Sequence, residues 1–120
     1  MPSEYAYGRR KELQVGEFLR RRRFECRRAR GSRGPIDLVA RRGGHRLAIQ
    51  VKSTRLGCVT YTRLGPSGET RLIRAAVARR AKPALALVSR NYVWLVSVPG
   101  DEVILEGELK PLQYEYPEHT

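Results

Sequence analysis

Glu12, Asp37, Gln50 and Lys52 are the residues whose types and spacing could do chemistry. Asp37 follows Pro35 and Ile36 at the head of an apolar run, and Gln50 and Lys52 flank Val51 in "AIQVKST". Two carboxylates and an amide oxygen form a hard-oxygen donor set suited to Mg²⁺ or Mn²⁺. Such an ion activates a water and offsets the charge of a phosphodiester in its transition state. A lysine beside it orients or deprotonates that water, or stabilises the added negative charge. Taken singly, an Asp after a proline or a Lys on a strand is ordinary. Together on one face they point to a site.

For these side chains to meet, the chain must fold back on itself. Gly43 and Gly44 separate two strand-like runs, 36–41 and 46–53, and glycine tolerates the positive φ of a tight hairpin turn. A two-residue loop there places Asp37 directly opposite Gln50. Opposed residues share a face, with Cβ atoms about 4.5–5.5 Å apart, and Lys52, two residues on, shares it as well. Ile36, Leu38 and Ala40 then meet Leu47, Ile49 and Val51 on the apolar face. Residues 9–23 are good helix formers, and Val15, Phe18 and Leu19 fall within one arc of the wheel. Glu12 lies on that apolar side, whereas Glu17 faces away, toward Arg20 and Arg21. A carboxylate on a buried helix face needs a partner or loses its charge. A metal held jointly with Asp37 is such a partner.

The rest of the chain supplies the scaffold. The stretch "RFECRRARGSRGP" reads as irregular, with Gly31, Ser32, Gly34 and Pro35 as loop punctuation. The alternation V-T-Y-T-R-L predicts a third strand over 59–64, followed by a turn at "GPSG". A second amphipathic helix is predicted over 69–82, and strands over 84–89 and 92–98. Residues 101–120, an acidic tail, are irregular or add a short edge element. The order αβββαββ predicts one α/β domain over 1–120, a mixed five-stranded sheet flanked by helices.

Charge narrows the partners. The 120 residues carry 24 Lys and Arg against 12 Asp and Glu, a formal charge of +12. Residues 1–100 hold 23 of the bases but only 6 of the acids, so the body is more basic than the total. Such a surface favours a polyanion, and 20 Arg to 4 Lys suits bidentate phosphate contacts. No apolar run reaches the length of a membrane span, and the N-terminus lacks a signal-peptide core. The arginine run 20–23 lacks the apolar insertion face of a membrane-surface helix. Cys26 and Cys58 have no metal-ligand spacing and read as small, partly buried hydrophobes in a reducing compartment. The expectation is a soluble, cytoplasmic protein with no membrane partner.

A helix-borne Glu, then "ID" opening a strand, then "QVK" on the next, resembles the PD-(D/E)XK nucleases, and most of all the archaeal-type Holliday junction resolvases. "G-x-x-x-E" from Gly8 to Glu12 matches the family's helix start, and Phe24 stands at the usual distance from that Glu. "RGSRGPIDLVA" looks like the family's Ser-containing loop leading into its Asp, and "VKST" and "YVWLVSV" come after it in order. The resemblance implies a restriction-endonuclease-like core and a Mg²⁺-dependent DNA endonuclease, with Mn²⁺ able to substitute. It also implies a homodimer that cuts two opposed strands of a four-way junction. It gives Glu12, Asp37, Gln50 and Lys52 the active-site positions, with Asp37, Gln50 and Glu12 as metal ligands and Ser32 near the scissile phosphate.

Gln50 is the departure, because most members carry Glu there. It keeps an oxygen ligand but loses a full charge, so metal affinity should fall. Two alternatives stand beside this reading: a nuclease of the same fold acting on other DNA, and a DNA-binding module whose site has lost its chemistry. Arg9, Arg10, Lys11, Arg30, Arg33 and Arg55 lie nearest the site in sequence and are the predicted phosphate contacts. His45, at the far end of the hairpin from Asp37, is expected to be exposed, and Tyr92 and Trp94 to pack in the last strand.

Overall fold

The first helix, α1 (Glu4–Arg21), starts at a side-chain cap, with Ser3 Oγ accepting the Ala6 N–H at 3.1 Å. That cap begins the helix ahead of the predicted stretch. Arg20 and Arg21 occupy the last turn, where the helix dipole favours positive charge. The helix stops at Arg23, whose φ of 71° is left-handed, and Phe24 N–H returns to the Leu19 carbonyl at 3.1 Å. This is a Schellman ending built on arginine where glycine is usual. The structure, a computed structural model, describes residues 3–29, 34–55 and 57–112, except the side chain of Glu4.

Six strands complete the sheet: β1 (Glu25–Arg28), β2 (Leu38–Arg42), β3 (His45–Thr54), β4 (Lys82–Ser89), β5 (Tyr92–Ser97) and β6 (Val103–Glu108). They lie side by side in sequence order, antiparallel throughout except where β4 runs parallel to β3. That pair needs a crossover, and α2 (Gly65–Ala78) supplies it. β4 is buried along nearly its whole length, as a strand covered on both faces must be. Alternate residues serve two cores. Ala84, Ala86 and Val88 pack with Val15, Phe18 and Leu19 of α1, whereas Leu85 and Leu87 pack with Leu72 and Ala76 of α2. The result is three layers, helix on sheet on helix.

The five-stranded expectation is corrected at three points. Residues 59–64 are not a strand: Tyr61–Leu64 form a 3₁₀ turn, with Arg63 N–H on the Thr60 carbonyl at 3.0 Å. Pro66 falls in the first turn of α2, where its fixed φ favours helix, so "GPSG" opens the helix and is not a turn before it. β1 and β6 are the added strands, β6 being the short edge element allowed for in the acidic segment. β1 is charged and mostly exposed, and only Cys26 turns inward, so no alternation betrayed it. Charged residues are a common way to blunt a sheet edge. β6 comes from the acidic segment and is held by Gly107, where an added Cβ would lie 2.8 Å from Phe18 Cε1.

The hairpin register is as predicted: Leu38 faces Ile49 and Arg42 faces His45 across Gly43-Gly44. Gly43 takes a φ of 61°, as a two-residue hairpin turn requires. His45 is exposed, and Tyr92 and Trp94 pack against each other with ring centroids 4.7 Å apart. Cys26 is half-buried, and burial pushes its thiol up to about 11. Cys58 is exposed, against expectation. Among the described residues no helix is long and apolar enough to cross a membrane.

Candidate active site

Asp37 departs from the regular hairpin at its first residue. Residues two apart in a strand share a face, yet Leu38 packs on the α1 side while Ile36 packs on the α2 side. The backbone shows the cause. Asp37 N–H donates at 2.8 Å to the carbonyl of Ile49, the residue registered opposite Leu38. Its Oδ2 then accepts the Val51 N–H at 2.8 Å, so the carboxylate takes the place of a backbone acceptor. A one-residue offset of this kind re-aims a side chain. The simple opposition of Asp37 and Gln50 is therefore replaced by one between Asp37 and α1.

The outcome is a small cavity of about 70 Å³ where Glu12 and Asp37 meet, walled by Tyr5, Arg9, Arg28 and Ile36. Burial pushes the Glu12 carboxyl up, the Asp37 charge adds to this, and Arg28 and Arg9 oppose it. Burial also pushes Asp37 up, against the Val51 hydrogen bond and the charges of Lys52 and Arg28. Two carboxylates that each disfavour their own charge share one cavity. Lys52 stands within electrostatic reach of Asp37. Gln50 does not line the cavity, but its Oε1 is buried with no hydrogen-bond partner among the described residues.

This donor set fits a divalent cation. Burial holds both carboxyls up despite the basic residues beside them, and among the described residues the Gln50 oxygen is an unsatisfied acceptor, which is costly unless something fills it. Among the described residues no three His, Cys, Asp or Glu side chains form a cluster able to hold a metal.

The predicted phosphate contacts divide. Arg9 lines the cavity, half-buried, and Arg10 is exposed on α1. Arg55 is half-buried, stacks over Tyr7 at 4.9 Å and donates to the Ser3 carbonyl at 3.3 Å. Lys11 is only 6% exposed, and its Nζ lies 3.5 Å from Asn91 Oδ1, so it does not present its charge to a surface ligand. Ser32, Arg30 and Arg33 lie outside the described residues. Sequence reasoning missed Arg28 and Tyr5. Arg28 sits on the unread strand β1, opposite Leu38, and nothing but its charge and nearness to the Asp marked it.

The same fold is found among known proteins. The chain superposes on the 1.6 Å structure of Hjc, a Holliday junction resolvase from the archaeal hyperthermophile Archaeoglobus fulgidus. The TM-score is 0.64 over 85% of this chain and 84% of that one, at 24% identity. The fold is restriction-endonuclease-like. A UPF0102 protein of Maricaulis maris (strain MCS10) is 38% identical over 74 residues, which are 61% of this chain and 58% of that relative. The chain thus matches little more than half the length of this curated relative. No family model matches it.

Proposed function

We propose that this protein is a metal-dependent DNA endonuclease that resolves four-way junctions by paired, symmetric phosphodiester hydrolysis. One observation carries the reading: Glu12 and Asp37, from separate elements, enter one cavity with both carboxyls pushed up by burial. A likeness of fold to a Holliday junction resolvase supports the substrate class, as does the basic body of the chain.

In this reading Asp37 and Glu12 hold Mg²⁺, with Gln50 as the weaker oxygen ligand. When bound, the ion supplies Lewis acidity, lowering the pKa of a water and offsetting charge on the phosphate. Asp37 is fixed for this by the Val51 N–H. Lys52 orients the attacking water or stabilises the phosphate's negative charge. Arg9 and Arg28 border the same cavity and bind the phosphate backbone, with Arg10, Arg30, Arg33 and Arg55 extending that contact. Ser32 touches the scissile phosphate. Lys11, turned inward toward Asn91, is left out of this set. A homodimer places two such sites on opposed strands.

Gln50 favours a second reading, a DNA-binding module that has lost its chemistry with the missing carboxylate. Labelled four-way junction and linear duplex, each incubated with Mg²⁺, Mn²⁺ or EDTA, separate the two. Paired metal-dependent nicks in the junction, absent in Asp37→Ala, support the nuclease. Tight binding without cuts in either metal sinks it. Equal cutting of linear duplex would assign another endonuclease of the same fold.

A further inference from the structure

A second opening lies toward the other end of the same strands. There a cavity of about 420 Å³ runs between the sheet and the C-terminal end of α2. It exists because α2 packs on β3 and β4, leaving that face of β1 and β2 uncovered. Arg41 on β2 lies directly opposite both Glu25 on β1 and Arg46 on β3. Val39 and Ala48, two residues back, pack in the α2-side layer, so Arg41 and Arg46 project on that side too. Arg27, opposite Val39, joins them, and Arg79 of the helix C-cap forms the far wall.

Four guanidiniums therefore line one groove with a single carboxylate. Glu25 is committed to Arg41, with its Oε1 3.1 Å from Nε and 2.5 Å from Nη2. Arg27, Arg46 and Arg79 have no ion pair among the described residues. Like charges directly opposed across a ladder repel, and an anion lying across Arg41 and Arg46 relieves that repulsion. Guanidinium forks match phosphodiester oxygens bidentately. Among the described residues no aromatic ring lines the groove, so it is suited to backbone and not to stacked bases. Its apolar lining, Cys26, Val39, Ala40, Leu47 and Ala81, is buried or half-buried between the arginines, so no apolar face projects for insertion into a bilayer. Arg41 is four residues along the chain from Asp37, so the groove lies within about 13 Å of strand length of the carboxylate cavity, on the α2 side of the sheet.

We infer that this groove is a second backbone-binding site for nucleic acid, one that grips a duplex arm beyond the carboxylate cavity. The inference rests on the DNA-binding half of the proposed function and not on its chemistry.

The test removes two uncommitted charges, Arg46→Ala with Arg79→Ala, in an Asp37→Asn background so that nothing is cut. Binding of labelled junction and linear duplex is read by fluorescence anisotropy over a salt series. Each lost phosphate contact flattens the plot of log affinity against log salt by about 0.9. The double variant should therefore lose about 1.8 of slope and bind roughly 60-fold more weakly near 0.1 M salt. Arg63→Ala with Arg71→Ala, exposed and away from the groove, removes the same charge and should change the slope far less. An equal fall in both pairs would assign the effect to net charge and overturn the groove, as would no fall in the first. Loss of binding to anionic vesicles with DNA binding intact would assign the groove to membranes and overturn it as well. Wild-type protein that binds DNA but never cuts it sinks the nuclease reading alone.

Discussion

Asp37 is asked to do two opposed things, and substitution separates them. Its Oδ2 accepts the Val51 N–H at 2.8 Å, while burial makes its charge unfavourable. Asp37→Asn keeps an acceptor for Val51 and removes the charge; Asp37→Ala removes both. Leaving a buried donor unsatisfied costs about 1–3 kcal/mol. At roughly 2.1 cal/mol/K per residue, unfolding a chain of 120 residues carries about 0.25 kcal/mol/K. The Asn variant should therefore melt about 4–12 °C above the Ala variant in EDTA, and no lower than wild type.

The pH dependence has a definite sign. The folded carboxyl titrates above its ordinary 3.8, so the folded state binds the proton more tightly than the unfolded state does. That contribution is unfavourable at neutral pH, fades as pH falls through the folded value, and is gone below the unfolded one. The gap between Asn variant and wild type should close on acidification toward about pH 4. On the proposed reading Mg²⁺ should reverse the order: wild type should gain about 2.7 kcal/mol at a hundredfold excess over Kd, and the Asn variant much less. Thermal melts over pH, with and without Mg²⁺, read all of this. Coincident Asn and Ala melts would refute the structural role given to the carboxylate, and an Asn variant below wild type in EDTA would refute the cost of its charge.

Gln50→Glu should lower the Mg²⁺ concentration needed for half-maximal cleavage and reduce stability in EDTA, by adding a third carboxylate. A titration curve that does not move would place residue 50 outside the metal's reach. Gly107→Ala should destabilise the fold by about 1–3 kcal/mol, because the new Cβ meets Phe18 and Arg22 at 2.8 Å; a thermal melt checks it. Arg23→Gly and Arg80→Gly should each raise stability by roughly 0.5–1 kcal/mol. Both arginines hold left-handed backbone, with φ of 71° and 55°, and urea midpoints would show the gain.

The features legible in the sequence were those with a period. The helix face of Val15, Phe18 and Leu19, the glycine hairpin and the buried run of β4 are visible in residue spacing and appear in the structure. Glu12, on the apolar arc of α1 in the sequence, lines the same cavity as Asp37 in the structure. The elements that were misread lacked a period or mimicked one. β1 buries almost nothing, so its run of charge looked like loop. Residues 59–64 alternate as a strand would, yet only Val59 and Leu64 are buried, and Pro66 commits the next residues to helix. The offset at Asp37 was invisible because it depends on the carboxylate competing for a backbone N–H, which no count of spacings contains.

The sequence-ordered sheet also bears on how the protein is made. Glu12, Asp37, Gln50 and Lys52 have all been synthesised once the chain reaches the end of β3 at Thr54, yet the outer edge of β3 is unpaired until β4 arrives at Lys82. Until then β3 is a sheet edge, with the Val51 N–H and the Asp37 carboxylate on its paired side and its other side open. The ribosome therefore delivers the four candidate residues before the strand that covers the outer edge of β3, and a nascent chain closes that edge only when its crossover is complete.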